Sequence, residues 1–212
     1  MNINIIIDNK NSWFYEKIGR LKKGIKKVGH NSRVLSDASN IKDKSFISFF
    51  LSCEKYITSE IRRRSKYNIV VHASDLPKGK GMSPTSWQIL EGENKIIVTL
   101  FEVADKIDAG DYYLKNFFLL DGTELLNEWQ EKLYQCMEKM ILYFISNEAT
   151  LKPIKQKGKS SLYPRRRPED SELNLSKSLK SQINLLRVVD NEKYPAFFKY
   201  KNKKYILKIF KG

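Results

Sequence analysis

The sequence is poor in the residues that build disulfide scaffolds and metal sites. Its 212 residues include only two histidines and two cysteines, Cys53 and Cys136. Two cysteines predict neither a disulfide framework nor a thiolate metal cluster, so we expect no metal. No apolar run approaches the roughly 20 residues that cross a bilayer. The first residues also lack the basic segment and cleavage site of an export signal. These absences predict a cytoplasmic protein with no membrane contact.

Negative charge is also scarce. The chain has 39 lysines and arginines against 24 acidic residues, a net charge of +15, and this excess predicts anionic partners. The lysines are spread along the whole chain, as in Lys22-Lys23 and Lys26-Lys27 on one helix. Such runs are typical of a solvated helix face. The charge therefore favours an anionic ligand, whereas the dispersal of the lysines argues against nucleic acid as the partner.

Alternating strand and helix patterns predict the fold. A first apolar run is followed by a helix that Asn11 or Ser12 can cap, and no glycine-rich dinucleotide fingerprint joins the two. The alternation predicts an α/β fold with a doubly wound, mostly parallel sheet. The predicted strands are Ile3 to Ile7, Ser32 to Leu35, Ser45 to Leu51, Asn68 to Ala73, Ile96 to Val103 and Tyr112 to Leu120.

The C-terminal part has a different composition. Residues 1–149 form the predicted domain, and residues 150–161 are rich in Lys, Gly, Ser and Pro, which predicts a linker. Residues 162–212 are too few for a core of their own, so we expect them to dock on the domain. They should form a helix from Ser176 to Val189 and a hairpin from Ala196 to Phe210 that turns near residues 201–203. The arginines that precede them, Arg165 to Arg167, should form salt bridges, for instance to Glu169 or Asp170.

The stretch from Asn68 to Trp87 carries the strongest functional signal. It predicts a buried strand that ends at His72, then a Pro/Gly-rich loop, then a helix capped by Ser83 with Pro84 in its first turn. Open α/β sheets bind their ligands beyond the carboxyl ends of strands. We therefore expect a binding or catalytic site around His72.

Three blocks of sequence occur in a recognisable order. The first is His72-Ala-Ser-Asp-Leu-Pro77 with Lys80-Gly81, Pro84 and Trp87; the second is Val98 to Glu102 with Ile107-Asp-Ala-Gly-Asp111; the third is Tyr163-Pro-Arg-Arg-Arg-Pro-Glu-Asp170. Together they resemble the folate-dependent formyltransferases, which act on initiator methionyl-tRNA, glycinamide ribonucleotide or nucleotide-linked amino sugars. The likeness extends over residues 45–210.

The resemblance implies a reaction and two catalytic residues. Family members move a formyl group from 10-formyltetrahydrofolate to an amine, and His72 and Asp108 match their essential histidine and aspartate. Histidine can take a proton from the amine or, once charged, donate to the developing oxyanion. A nearby carboxylate orients the imidazole and favours its charged form. We expect the two residues to meet because both end strands of one parallel sheet.

The resemblance also implies where the substrates bind. The pterin should enter a pocket formed by residues 52–57 and 103–107, and the amine substrate should lie across the loop and the first helix N-terminus. The expected pterin residues are Cys53, Lys55, Ile57, Val103, Asp105 and Ile107. The expected amine-substrate residues are Ser12, Trp13, Lys78, Lys80 and Gly81.

One catalytic position departs from the family pattern. The family asparagine precedes the histidine by two residues, where this chain has Val70. Asn68 lies on the same strand face, but four residues of strand place it ~13 Å from His72. Either another amide or the backbone N–H groups of the loop must then replace the asparagine.

The predicted reaction is formyl transfer to an amino sugar. The predicted partners are the nucleotide-linked amino sugar, as acceptor, and the folate, as formyl donor. The tail of about sixty residues favours the sugar branch, because the tRNA enzymes have a larger C-terminal domain and the glycinamide ribonucleotide enzymes lack this tail. Formylation of methionyl-tRNA is an alternative that the net charge of +15 favours. A non-catalytic folate or nucleotide-sugar binding module is another, because of Val70. The oligomeric state stays open, a homodimer included.

Overall fold

A central six-stranded sheet organises the chain in the computed structural model, which describes residues 1–212. The ten strands are β1 (Ile3–Ile6), β2 (Ser32–Leu35), β3 (Ser45–Phe50), β4 (Ser65–His72), β5 (Lys80–Gly81), β6 (Lys95–Glu102), β7 (Tyr112–Leu119), β8 (Leu162–Tyr163), β9 (Ala196–Tyr200) and β10 (Lys203–Leu207). The sheet has the order β2-β1-β3-β4-β6-β7, and β5-β8 and β9-β10 form separate two-stranded pairs. The five helices are α1 (Ile18–Lys27), α2 (Ser59–Arg62), α3 (Pro84–Leu90), α4 (Leu126–Asn147) and α5 (Ile183–Val188).

The strand directions confirm a mostly parallel sheet and correct one step of the prediction. Strands β1 to β4 are parallel to one another, but β6 pairs antiparallel with both β4 and β7. His72 and Asp108 therefore do not follow two parallel strands. The loop from β6 to β7 must bring Asp108 to His72 by another path.

Side chains that alternate along the strands build a core on each sheet face. Along β4, Ile69 and Val71 join a cluster of 28 buried residues that also contains the inner faces of α1 and α4. Val70 points to the opposite face, where it packs against a smaller cluster around Ile6 and Phe50. The 3.6-residue spacing along α4 places Trp129, Leu133, Met137, Met140 and Phe144 in the large cluster. The smaller cluster underlies the candidate site.

Two predicted helix starts differ from the structure. Ser12 Oγ accepts from the N–H of Phe14 at 3.3 Å, but this bond closes a turn, and α1 begins only at Ile18 after a 3₁₀ turn. Ser83 lies before α3 as predicted, but its φ of 52° is left-handed and its side chain caps nothing. Serine bonds readily within turns as well as at caps, so spacing alone did not separate the two roles.

The tail forms the predicted hairpin but only part of the predicted helix. Strands β9 and β10 pair antiparallel across Lys201-Asn202. The helix is reduced to a 3₁₀ turn at Lys180–Gln182 followed by α5. Leu179 is 64% exposed, so the first turn of the predicted helix has no apolar surface to pack against. Ser181 bonds through both its N–H and its hydroxyl to Ser178, which offers the chain an alternative to helix.

The tail docks on the main sheet layer through Arg187. This side chain is 1% exposed, and its Nε donates to the carbonyl of Glu124 at 3.3 Å. In return, Trp129 Nε1 donates to the carbonyl of Arg187 at 3.0 Å. Val188 joins the large cluster. No helix of the chain combines the length and apolar character that a membrane span requires.

Candidate active site

The fold places His72 at the last position of β4, where its side chain is buried. Strand alternation puts the ring on the same face as Val70, above the smaller cluster. Nε2 lies 2.8 Å from the carbonyl oxygen of Gly79, which accepts its proton. The ring is thus held against the loop that follows β4.

The loop can run close to the ring because it contains glycines with positive φ. Gly79 has φ 72° and Gly81 has φ 92°. A Cβ on Gly79 would meet the ring of Tyr163 at 2.8 Å, and one on Gly81 would meet the Tyr163 carbonyl oxygen at 2.4 Å. Only glycine tolerates both the conformation and the close approach. On the other side, Lys115 Nζ fixes the loop by donating to Asp75 Oδ1 at 2.5 Å and to the Leu76 carbonyl at 2.8 Å.

Asp108 lies on a tight turn between β6 and β7, with φ 49°. Its Oδ2 accepts the N–H of Gly81 at 2.8 Å and lies 3.9 Å from His72 Nε2. Both side chains are mostly buried, at 10% and 15% exposure. The carboxylate therefore faces the imidazole and the glycine loop together, and the predicted partnership of these two residues is present.

The structure shows what the amide of Asn68, which the sequence placed too far from His72, contacts instead. Asn68 Nδ2 donates to the carbonyls of Arg62 and Ser65, at 2.9 and 3.5 Å, towards the start of β4 and away from His72. Asn68 is thus excluded as a catalytic amide.

The five N–H groups of residues 78–82 in the loop are also occupied. The N–H of Gly79 donates to Ser161 Oγ and that of Gly81 to Asp108, while those of Lys78, Lys80 and Met82 donate to backbone carbonyls. None of these five N–H groups is therefore free to replace the amide. His72 Nε2 is left as the donor that faces the centre of this loop.

Residues 52–57 and 103–107 come together on the same sheet face. Tyr56 Oη donates to the Asp105 carbonyl at 3.2 Å, and Arg62 forms an ion pair with the Asp105 carboxylate. Cys53, Val70 and Val103 pack on the smaller cluster beneath them. The backbone N–H groups of residues 104–108 make no hydrogen bond within the chain. An apolar floor beside free backbone donors fits a flat heterocycle with polar edges, as a pterin is.

The curated proteins most similar to the chain share one activity name, although no family model matches the chain. Methionyl-tRNA formyltransferase of Thermosipho melanesiensis is 32% identical over 120 residues, which are 57% of this chain and 39% of that protein. The enzyme of the same name from Flavobacterium johnsoniae is 26% identical over 200 residues, 86% of this chain and 62% of that protein. The chain thus spans less than two thirds of the length of these relatives.

A solved structure extends the match over nearly the whole chain. Methionyl-tRNA formyltransferase from Clostridium thermocellum superposes with a TM-score of 0.76 and 26% identity, covering 99% of this chain and 92% of that one. The chain is thus similar to formyltransferases in both sequence and fold.

More distant solved structures share the fold. A 4-N formyltransferase from Francisella tularensis has a TM-score of 0.78 at 15% identity, covering 98% of this chain and 96% of that one. HypX from Aquifex aeolicus, in complex with tetrahydrofolic acid, has a TM-score of 0.82 at 19% identity, covering 99% of this chain and 37% of that one.

The predicted pterin residues have different surroundings. The Cys53 thiol donates to the Ile6 carbonyl at 3.3 Å, and burial raises its pKa to about 12, so it is an inert part of the floor. Ile57 is buried in the smaller cluster. Lys55 pairs with Asp37 at 2.9 Å, while Ile107 is 69% exposed. Asp105 pairs with Arg62, and Val103 packs on the smaller cluster. Residues 52–57 and 103–107 are thus adjacent, but their side chains do not all face one pocket.

The predicted amine-substrate residues divide into two groups. Lys80 and Gly81 form β5, which pairs with β8, and neither Lys78 nor Lys80 has an acidic partner. Ser12 and Trp13 lie in the turn before α1, where the Trp13 ring packs edge-on against Phe14 at 5.4 Å. The expectation that they mark a helix N-terminus is wrong, because α1 begins five residues later at Ile18.

The arginine-rich motif docks the tail through partners other than those predicted. Arg165 pairs with Glu54 at 2.9 Å, and its hydrogen bond is the main reason that the pKa of Glu54 is lowered. Arg166 donates to the carbonyls of Val188 and Asp170, at 3.0 Å each. Only the N–H of Arg167 reaches the carboxylate of Asp170. Glu54 lies 111 residues before Arg165 in the sequence, so proximity in sequence was a poor guide.

Residues 154–163 contact both catalytic loops, which the sequence did not predict. Ile154 pairs with Tyr112, Gln156 donates to the Asp108 turn, and Ser161 bonds to the glycine loop. The composition of this segment resembles a linker, and only Tyr163, through its place in the third sequence block, gave a signal. No group of three or more His, Cys, Asp or Glu side chains is arranged to hold a metal ion.

Proposed function

We propose that the protein transfers the formyl group of 10-formyltetrahydrofolate to the amine of a nucleotide-linked amino sugar. The observation that carries the reaction is the His72–Asp108 pair at 3.9 Å, beside the glycine loop of a formyltransferase-family fold. The floor formed by Cys53, Val70 and Val103 and the free N–H groups of residues 104–108 support folate binding.

In the proposed reaction the neutral amine nitrogen attacks the formyl carbon and forms the new C–N bond. The carbonyl oxygen then carries negative charge, and His72 Nε2–H is placed to donate to it once the bond to Gly79 opens. The bond from the formyl carbon to N10 of the folate breaks, and N10 takes up a proton in exchange for the one that the amine loses. His72 can transfer that proton while the Asp108 carboxylate offsets the charge on the ring.

The surroundings of the loop support a compact anionic substrate. Lys78 and Lys80 have no acidic partner, so their charges remain available for a phosphate. The tail reaches the neighbouring strand ends through Arg165, which pairs with Glu54, and Lys193, which donates to the Asn11 carbonyl at 2.9 Å. These contacts join the tail to the segments that follow β3 and β1.

The distribution of basic residues favours the sugar over transfer RNA. A groove of about 430 Å³ is lined by Lys22, Lys23, Lys26 and His30. It ends at Ser32, the first residue of β2, whereas His72 is the last residue of β4. Because β1 to β4 are parallel, the groove and His72 lie at opposite edges of the sheet. The groove therefore does not extend the catalytic loop into one continuous basic surface.

Formylation of methionyl-tRNA is the second candidate, since the relatives from Thermosipho melanesiensis and Flavobacterium johnsoniae carry that name. The test offers the protein 10-formyltetrahydrofolate with a panel of nucleotide-linked amino sugars and with initiator methionyl-tRNA. Mass spectrometry then detects the gain of one formyl group. We expect turnover with a sugar and none with the tRNA. Turnover with the tRNA alone would replace the first candidate by the second.

Salt provides a second discriminator between the two substrates. A nucleotide sugar has few phosphates, so its binding should weaken only modestly between 50 and 200 mM salt, whereas six or more phosphate contacts would weaken it about 1000-fold. Saturable binding of folate and sugar without turnover would instead indicate a non-catalytic binding module. The His72→Asn protein is the matched control, since it removes the proposed donor and keeps the fold.

A further inference from the structure

We propose that Gln156 is a positioning residue for Asp108, and that residues 154–163 form a strap that holds the two catalytic loops in register. The catalytic consequence rests on the proposed function, but the positioning itself does not. Gln156 acts on Asp108 through the backbone of the turn, because its side chain contacts neither the Asp108 carboxylate nor His72.

The side-chain amide of Gln156 holds the Asp108 turn from both sides. Nε2 donates to the carbonyl of Asp108 at 3.0 Å and to that of Gly110 at 2.8 Å. The first of these carbonyls belongs to Asp108 itself, whose φ of 49° is unfavourable for most side chains. The two acceptors also fix the amide orientation, because a flipped amide would place its oxygen against two carbonyl oxygens.

The turn has little other support for its backbone. The N–H groups of residues 104–108 have no partner within the chain, and that of Ala109 makes a long bond of 3.3 Å to Lys106. Gly110 provides one fixed point, because a Cβ there would lie 1.7 Å from the Glu102 carbonyl oxygen. Apart from that contact, the carbonyls of Asp108 and Gly110 receive side-chain hydrogen bonds only from Gln156.

The strap is fastened at each end, so Gln156 has a defined position. Ile154 exchanges two backbone bonds with Tyr112, at 2.9 and 2.8 Å. Ser161 accepts the N–H of Gly79 through Oγ and that of Lys80 through its carbonyl. Tyr163 then accepts the N–H of Met82, and its ring stacks on Trp87. The strap therefore joins the Asp108 turn to the loop that holds His72.

Hydrogen exchange of the Gly81 amide reports the position of Asp108 directly, since that N–H donates to the carboxylate. In Gln156→Met the Gly81 amide should exchange about five- to tenfold faster, the factor expected for one lost hydrogen bond. The amides of Lys80 and Met82 should stay protected, because their acceptors lie on other parts of the strap. Gln182→Met is the matched control, since Gln182 also donates to backbone carbonyls, but within the tail.

Kinetics with the proposed substrates should show the same dependence. Gln156→Met should lower kcat about tenfold with little change in the KM for folate, and Gln156→Glu should lower it further because a carboxylate repels the two carbonyls. In an Asp108→Asn background neither change should have a further effect, since residues that act as a unit are not additive. If the Met variant does not fold, the Glu variant serves for both measurements.

Two results would overturn the proposal. One is unchanged Gly81 exchange in a folded Gln156 variant. The other is equal loss of protection at Lys80, Gly81 and Met82, which would mean that the strap detaches as a whole and does not act on Asp108 specifically. Both readouts need no substrate, so they stay decisive even if the proposed formyl transfer is absent.

Discussion

The carboxylate of Asp108 lies 3.9 Å from Nε2 of His72, although the strands that lead to the two residues run in opposite directions. Asp108 reaches this position on a left-handed turn, where its Oδ2 also accepts the N–H of Gly81. The carboxylate thus interacts with the imidazole and with the loop that holds it. A substitution can therefore remove the negative charge of Asp108 and still keep its hydrogen bond to Gly81.

Replacing Asp108 with asparagine should reduce turnover while leaving the fold intact. Asparagine tolerates positive φ and its Oδ1 can still accept from Gly81, so only the negative charge is lost. We expect kcat for formyl transfer to fall about 100-fold, because the imidazolium loses its counter-charge. Steady-state kinetics and the melting temperature measure the two effects. A variant with full activity would remove the carboxylate charge from the mechanism.

Replacing Val70 with asparagine should raise turnover. Val70 packs on the floor beneath the two folate segments, at the position of the family asparagine. An amide there adds a donor for the oxyanion, which in other enzymes changes kcat by about 100-fold. Because the amide is buried against apolar side chains, the substitution should lower the free energy of unfolding by about 1–2 kcal/mol. Val71→Asn, on the opposite sheet face, is the control and should only destabilise. A Val70 variant no faster than the parent protein would mean that the site does not use an amide there.

Glu102 should make the folded state sensitive to pH. Burial raises its pKa to about 7, even though the N–H of Asn68 and the hydroxyl of Tyr113 donate to it and act in the opposite direction. The pKa of Glu102 in the folded state lies above the ordinary value of 4.5. The contribution of Glu102 to the free energy of unfolding is therefore fully present below pH 4.5 and is lost as the pH rises through 7.

The Glu102→Gln protein keeps both hydrogen-bonding positions and cannot ionise. Its free energy of unfolding should therefore fall less between pH 5 and 8 than that of the unaltered protein, by on the order of 3 kcal/mol at most. Urea unfolding of both proteins at several pH values measures the difference. Parallel pH profiles would show that Glu102 titrates normally.

Arg187 should carry much of the docking of the tail. It is buried against Glu124 and donates to the Asn94 and Asn184 side chains as well. Arg187→Met leaves the buried Glu124 with Lys132 as its remaining cation, and should lower the unfolding free energy by about 3 kcal/mol. Arg20→Met is the control: Arg20 is 49% exposed where it pairs with Glu131, and its loss should cost less than about 1 kcal/mol. Equal effects of the two changes would mean that the tail is held elsewhere.

The sequence predicted the parts of the site that local patterns encode. The apolar run ending at His72, the glycines after it and the order of the three blocks identified the family, the histidine and the aspartate. The reason given for their meeting was wrong, because strand direction depends on how β6 pairs with its neighbours, and an apolar strand pattern is the same in either direction.

Contacts between distant segments were the least predictable. Gln156 lies in a stretch of Lys, Gly and Ser whose composition is that of a linker, and its importance comes from two carbonyls more than forty residues away in sequence. Likewise, Arg165 could be expected to form a salt bridge, but not that Glu54 would be its partner. The domain boundary at residue 149 remains a prediction, which a truncation that keeps or loses solubility would test.

The most direct test of the proposed reaction is a single comparison by mass spectrometry. The protein and its His72→Asn variant are each incubated with 10-formyltetrahydrofolate and the panel of nucleotide-linked amino sugars. We predict that the unaltered protein adds one formyl group to one of the sugars, and that the variant, with the same melting temperature, adds none. Equal formylation by both proteins, or none by either while folate and sugar bind, would contradict the assignment.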